Sequence, residues 1–269
     1  MKINTYDLHV EDLGDKKGEA LFFLNGVMAS TNSWYTIMKP FIEQGFRVIL
    51  HDFKGQLKSD KPKGPYTFLD HANDIIKIME TLGIDKAHFV GTSYGGEAGM
   101  HLAVNYPEVV KSLVVIDSTS EINQEMKDEI NKWIDLCRFE DGYLFFKGIV
   151  DSLYGSTFRK ENKEFLEARA KATASVHPSY FKGQIILYET FLNDVYITNQ
   201  LSRITAPTLV ICGDDDQLKP VIFSKLIHEN IRGSELKILN DCGHVAIFEK
   251  AKEVETLVLD YITKITKKV

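Results

Sequence analysis

The sequence predicts an α/β architecture: a doubly wound, mostly parallel sheet with a helical cap inserted into it. Three observations lead there. Short, β-rich apolar runs alternate with amphipathic helical stretches through the first half of the chain; the alternation stops after Asp117; and it resumes at Pro207 with no convincing strand in between.

The runs Ala20 to Leu24, Phe46 to Leu50, Ala87 to Val90 and Leu113 to Ile116 have the length and the unbroken apolar character of strands covered on both faces. Phe68 to Leu82 places Ile75, Ile76, Met79 and Leu82 at spacings of three and four, and Gly83 follows where a helix closes. Gly96 to Asn105 is a second helical run. From Thr119 to Gln200 the chain reads as helices with turn signals at Gly142, Gly155 and His177-Pro178. Beyond it, Thr208 to Cys212 and Glu235 to Leu239 read as strands, Val221 to Asn230 and Val254 to Ile265 as helices. The expected division is a core of residues 1–118 and 201–269 with a cap of residues 119–200.

With 269 residues, 44% of them apolar and 26% charged, the chain can bury a large core, which excludes disordered and collagen-like classes. The net charge is −6 and adjacent basic residues never exceed a pair, so the electrostatic footprint of phosphate-backbone binding is absent and no nucleic-acid partner is expected. Cys137, Cys212 and Cys242 are few and odd in number, which points to free thiols and a reducing compartment. Residues 1–14 lack the apolar segment of a secretory signal, and no run approaches the ~18 apolar residues of a membrane span, so the expected location is the cytoplasm. Nothing in the pattern speaks to oligomeric state.

Chemistry concentrates at the ends of the predicted strands. Gly91-Thr92-Ser93-Tyr94-Gly95 follows Ala87 to Val90 and opens a helix. A serine on so tight a strand-to-helix turn presents its hydroxyl to a cleft at the positive end of a helix dipole, and the glycines leave room for the turn. A serine hydroxyl is a poor nucleophile unless a base takes its proton, and the base needs a carboxylate to orient it. Gly213-Asp214-Asp215-Asp216 and Asp241-Cys242-Gly243-His244 each follow a predicted strand, which gives the chain order Ser, Asp, His. Asp117 also ends a strand and is a second candidate acid. The remaining histidines show no metal-ligand spacing, so neither metal nor cofactor is expected. His51 and Asp52 are adjacent on a strand and point to opposite faces, which argues against a shared role; Cys242 reads as a buried packing residue.

These pieces resemble an α/β-hydrolase, similar to the capped esterase, lactonase and C–C hydrolase branch. Asn25-Gly26 after an apolar strand, Asp52-Phe53-Lys54-Gly55-Gln56 with Ser59-Asp60, the serine turn, Pro207 to Asp216 with Pro220, and Gly243-His244 carry the resemblance across nearly the whole chain. It implies Ser93 as nucleophile, His244 as general base, Asp216 as the acid that orients it, with Asp214 and Asp215 as solvated turn residues, and the backbone N–H groups of Val27 and Tyr94 as oxyanion donors. Two departures stand out. Relatives usually carry His-Gly where this chain has Asn25-Gly26, and Arg-Gly-x-Gly where it has Lys54-Gly55-Gln56-Leu57. Asn25 either lines the cleft with Gly26 or satisfies backbone groups in the turn.

The inserted segment holds 13 of the chain's 29 aromatic residues, which suits either the packing of a small helical lid or an apolar wall for a cleft, with Trp133, Phe139, Phe145, Phe146, Tyr188 and Phe191 as candidates. Its 13 acidic and 10 basic residues give no basic cluster for a polyanionic substrate. Glu140-Asp141 could hold a substrate ammonium, but a solvated turn before Gly142 is the better account of the pair. The expectation is a serine hydrolase acting on a small or medium carboxylic ester of low charge. Acyl transfer, lactone opening, amide cleavage or C–C hydrolysis on the same residues are alternatives, and a ligand-binding or signalling protein on the same fold is a further one.

Overall fold

The computed structural model describes residues 1–3 and 5–267. Among them are nine strands: β1 (Lys2–Ile3), β2 (Tyr6–Asp7), β3 (Val10–Gly14), β4 (Ala20–Leu24), β5 (Arg47–His51), β6 (Ala87–Thr92), β7 (Val110–Ile116), β8 (Thr208–Gly213) and β9 (Glu235–Leu239). Strands β1 and β2 form a small antiparallel ribbon, and the other seven form one sheet in the order β3-β5-β4-β6-β7-β8-β9. Only β3 runs antiparallel to its neighbour.

Successive strand residues face opposite sides, and here both sides are packed. In β4, Ala20, Phe22 and Leu24 join one apolar cluster with Ile75, Phe89 and Val115, whereas Leu21 and Phe23 join another with Val48, Val90 and Val114. The first face is covered by α2 (Phe68–Leu82) and α3 (Tyr94–Asn105), the second by α1 (Lys39–Glu43) and, at the end of the chain, a long helix over Ala251–Thr266. The chain is therefore the doubly wound, mostly parallel α/β structure that its sequence predicts.

Helix α2 is capped at Thr67, whose side chain accepts the Asp70 N–H, and closes at Gly83 with φ 64°. Its buried face differs from the expected one by a rotation: Ile78 is fully buried, while Ile76 and Leu82 are only half-buried. The sequence reading also missed β3. That strand sits at the sheet edge, and its mixed residues, Val10-Glu11-Asp12-Leu13-Gly14, carry no apolar run.

Between β7 and β8 lie α4 (Gln124–Arg138), α5 (Gly142–Leu153), α6 (Ser156–Glu161), α7 (Lys163–Thr173) and α8 (Ser179–Asp194). They pack over the C-terminal ends of the parallel strands. After β8 come α9 (Val221–Asn230), α10 (Ala246–Glu249) and α11 (Ala251–Thr266). Among the described residues no helix is long and apolar enough to cross a membrane.

Three histidines on the α2 and α3 side of the sheet are buried: His51, His71 and His101. Burial lowers His51 to about 3 and His101 to about 4, and it holds His71 well below its ordinary value as well. Their folded-state values lie below 6.5, so the unfolded chain binds protons that the folded chain refuses, and stability is lost as pH falls through the window from about 6.5 to about 4. Thermal denaturation at pH 7.5 and pH 4.5 checks this. The melting temperature is expected to fall at the lower pH, and less steeply in His51→Phe, since the ring nitrogens of His51 have no partner among the described residues to lose.

Candidate active site

Strand β6 ends at Thr92 and α3 begins at Tyr94, so a single residue, Ser93, turns the chain. It adopts φ 51° and ψ −121°, a conformation that side chains rarely take. A Cβ on Gly91 would stand 2.3 Å from the Gly95 carbonyl oxygen, and one on Gly95 would stand 2.1 Å from that of Leu24. The two glycines thus let the turn seat directly against β4. Ser93 N–H donates to the Ile116 carbonyl at 2.7 Å, and Ser118 Oγ–H donates to the Ser93 carbonyl at 2.9 Å, which pins the strained residue to β7.

Asp216 and His244 come from the loops after β8 and β9, which are neighbours in the sheet. Asp216 Oδ1 accepts the N–H groups of Leu218 and Lys219 at 2.9 and 2.8 Å, so the carboxylate is fixed by its own loop. Its Oδ2 lies 2.8 Å from His244 Nδ1, and His244 Nε2 lies 3.0 Å from Ser93 Oγ. With Nδ1 donating to the carboxylate, Nε2 is the acceptor that faces the serine hydroxyl. Asp216 and His244 are buried, and Ser93 remains open to the cleft.

Asp117 reaches the same region without touching the imidazole. Its Oδ1 and Oδ2 accept the backbone N–H groups of Gly213 and Ala246 at 3.2 and 3.0 Å. Burial, reinforced by the charge of Asp216, pushes its carboxyl well above the usual carboxylate range. Asp117 therefore braces the β8 loop against the histidine loop.

The cleft above Ser93 measures about 130 Å³ and is lined by Gly26, Val27, Trp133, Phe145, Phe146 and His244 among others. Four expected cleft residues are not in it: Tyr188 and Phe191 line a separate small space on the other flank of Ser93, and Asn25 and Phe139 are placed elsewhere. Asn25 is fully buried; its Nδ2–H donates to the His51 carbonyl at 2.9 Å, and its Oδ1 accepts Trp34 Nε1–H at 2.8 Å, so the side chain is consumed in holding its turn. Phe139 is 68% exposed at the C-terminal end of α4, where the chain leaves the helix and no partner covers the ring. Asp215 is no plain solvated turn residue either, since its carboxylate accepts the Ser156 N–H at 2.5 Å and ties the loop to α6. Asp141 caps α5 by accepting Leu144 N–H, and neither Glu140 nor Asp141 lines the cleft.

Three residues that the sequence reading did not single out belong to this region. Lys219 Nζ donates to Ser93 Oγ at 3.1 Å and to Glu97 Oε1 at 2.8 Å, and it lies 4.9 Å from the centre of the Phe191 ring. Both partners are buried, Lys219 at 2% and Glu97 at 0% exposure, and burial pushes the Glu97 carboxyl up to about 7 while Lys219 pulls the other way. Glu97 lies four residues after Ser93 in α3, so a charged side chain within the run Gly95-Gly96-Glu97-Ala98-Gly99 was the available signal. Arg169, from α7, lines the cleft between the Phe165 and Phe248 rings, 5.8 and 5.2 Å from their centres. Among the described residues no carboxylate pairs with it. Among them, too, no three His, Cys, Asp or Glu side chains converge in the manner of a metal site.

A family model described as the alpha/beta hydrolase fold matches residues 19–251. The chain belongs to this family. It is similar to the 2-hydroxy-6-oxo-6-phenylhexa-2,4-dienoate hydrolase of Comamonas testosteroni, at 28% identity over 97% of this chain and 92% of that protein. It is also similar to a proline iminopeptidase of Lactobacillus acidophilus, at 26% identity over 94% and 93% of the two chains. Among solved structures, MGS-M2, an alpha/beta hydrolase from a Medee basin deep-sea metagenome library, aligns with TM-score 0.93 at 25% identity over 97% of this chain and 96% of its own. Est816, an N-acyl homoserine lactone degrading enzyme, aligns with TM-score 0.82 at 28% identity over 97% and 98%. The chain is a hydrolase by fold and by relatives, and those relatives break several kinds of bond.

The glycine at position 95 sets the seat of the serine turn. Gly95→Ala is expected to cost more than about 2 kcal/mol of stability, since the added carbon meets backbone rather than a movable side chain. Urea denaturation of the variant beside Gly45→Ala measures it; the Gly45 position has open space, and its φ of 88° makes that loss one of backbone strain alone.

Proposed function

We propose that this protein is a serine hydrolase that cleaves a small or medium carboxylic ester through Ser93, His244 and Asp216. The observation that carries the reading is the unbroken relay from Asp216 Oδ2 through both nitrogens of His244 to Ser93 Oγ, at 2.8 and 3.0 Å. In this reading His244 Nε2 takes the Ser93 proton as Oγ attacks the ester carbonyl. The carbonyl oxygen becomes negative beside the backbone N–H groups of Val27 and Tyr94, the second of which opens α3 at the positive end of its dipole. His244 then protonates the departing alcohol, and water releases the acid from the acyl-enzyme by the same steps in reverse.

Asp216 is the orienting acid and Asp117 a structural one, because only Asp216 reaches Nδ1. No cofactor enters these steps. The cleft volume suits a small substrate: a cavity of about 150 Å³ accommodates a benzene-sized ligand, and this cleft is slightly smaller. Its partner is thus a small-molecule ester, and the three free, buried cysteines support the reducing, cytoplasmic setting expected from sequence.

A second reading, hydrolysis of a C–C bond beside a ketone, is favoured by Arg169. An unpaired guanidinium in the cleft wall fits a substrate carboxylate, which a simple ester does not supply and a dienoate does. Amide cleavage of an amino-terminal residue finds less support, since Glu140 and Asp141 lie away from the cleft.

Kinetics separate these readings. Ser93→Ala is expected to lower kcat by roughly 10⁴-fold or more, and Asp216→Asn by roughly 10³- to 10⁴-fold, while Asp117→Asn keeps kcat within about tenfold and loses stability instead. A harmless Asp216→Asn with a crippling Asp117→Asn would reverse the assignment. Nitrophenyl acetate and butyrate are expected to exceed alanine anilide in kcat/KM; faster turnover of 2-hydroxy-6-oxo-6-phenylhexa-2,4-dienoate than of any ester would move the assignment to C–C hydrolysis.

A further inference from the structure

Ser93 stands between two compartments. The cleft already described lies on the side of His244. On the other side is a small chamber lined by Ser93, Glu97, Trp133, Tyr188, Phe191 and Lys219, with Val27 and Tyr94 also at its wall. His244 borders the cleft and not the chamber. The group that His244 protonates on departure must lie beside Nε2, so the leaving alcohol occupies the cleft. The acyl group, whose carbonyl oxygen turns towards the Val27 and Tyr94 N–H groups, is left the chamber.

The chamber holds about 20 Å³, room for one small group at the end of a single methylene beyond the acyl carbon. Its walls are mainly apolar and aromatic, and Lys219 and Glu97 meet at one end. The Lys219 ammonium gives one hydrogen bond to Glu97 and one to Ser93 Oγ. Once Ser93 is acylated its Oγ is an ester oxygen, a poor acceptor, and a buried charged donor loses its partner, which is costly. Glu97 Oε1 is occupied by Lys219 and by the Thr119 N–H at 3.0 Å, but Oε2 is buried and has no partner among the described residues. One donor to be released and one idle acceptor, side by side in a space of one small group, match a hydroxyl, which both accepts and donates. A carboxylate matches poorly, because Glu97 already balances the lysine charge and a further negative charge would be buried without a counter-ion.

We infer that this chamber is the acyl site and that it selects short 2-hydroxyacyl groups, the hydroxyl accepting from Lys219 Nζ and donating to Glu97 Oε2. The inference rests on the serine-hydrolase reading above. In acylation the Ser93 Oγ–C bond forms, the bond from the carbonyl carbon to the leaving oxygen breaks, and the serine proton passes through His244 to that oxygen. Water reverses the transfer and releases a 2-hydroxy acid.

Phenyl glycolate and phenyl propionate test it, since they differ by a hydroxyl in place of a methyl. Their kcat/KM values are measured at pH 8, above the Glu97 value, and each is divided by its rate of hydrolysis in hydroxide to remove intrinsic reactivity. The normalised ratio is expected to favour glycolate by about tenfold or more. In Lys219→Met with Glu97→Gln, which removes both charges together, the ratio is expected to fall to within about twofold of unity. A ratio near unity in the unaltered protein overturns the inference, as does a preference that survives the double substitution. Should the double variant fail to fold, the ratio in the unaltered protein decides alone. Turnover of both esters at equal normalised rates, lost in Ser93→Ala, sinks the chamber assignment and leaves the hydrolase reading standing; absence of Ser93-dependent turnover of either ester sinks both.

Discussion

The positive φ of Ser93 is the constraint around which the site is built. A residue with a side chain held at φ 51° stores strain, and its backbone is held by the Ile116 carbonyl on the N–H side and by the Ser118 hydroxyl and the Gly96 N–H on the carbonyl side. The glycines at 91 and 95 follow from it, because the turn brings backbone within a Cβ distance of backbone. So does the position of the hydroxyl, at the start of α3 and open to the cleft. Strand order then supplies the partners: β8 and β9 follow β7 across the sheet, so the loops bearing Asp216 and His244 converge on the residue at the tip of β6.

Five buried acids and bases surround Ser93: Asp117, Asp216, His244, Glu97 and Lys219. Burial, with the charge of Asp216 added to it, pushes the Asp117 carboxyl upward, while Asp216 makes the imidazole contact. Lys219 and Glu97 form a second pair on the opposite flank of the serine. Ser93 Oγ thus sits between His244 Nε2 and the Lys219 Nζ that donates to it, and Lys219 is restrained by its own carboxylate partner. The region brings together buried charges that a purely structural core would avoid.

Much of this was legible from sequence because the determining patterns are local. Apolar runs of strand length mark strands buried on both faces, and the Gly-x-Ser-x-Gly spacing between a strand and a helix marks the turn; the order Ser, Asp, His needs only the knowledge that strand ends meet at one edge. What escaped the reading depends on contacts far apart in the chain. The Lys219–Glu97 pair joins residues 122 positions apart, and nothing near either residue foretells the other. The role of Asn25 is decided by His51 and Trp34, and the exposure of Phe139 by where α4 happens to end, neither of which an aromatic count reveals. Strand β3 escaped because an edge strand needs only one partner and little burial, so its mixed sequence carries no periodic signal.

The central claim is that Ser93 is a nucleophile activated by His244. Reaction with a fluorophosphonate followed by intact-mass and peptide mass spectrometry tests it most directly, because the probe reacts with a serine only when a base has prepared it. The account predicts a single adduct per chain, located on the peptide carrying Ser93 and formed far more slowly in His244→Ala. An unmodified Ser93, or labelling that proceeds at the same rate without His244, would contradict it.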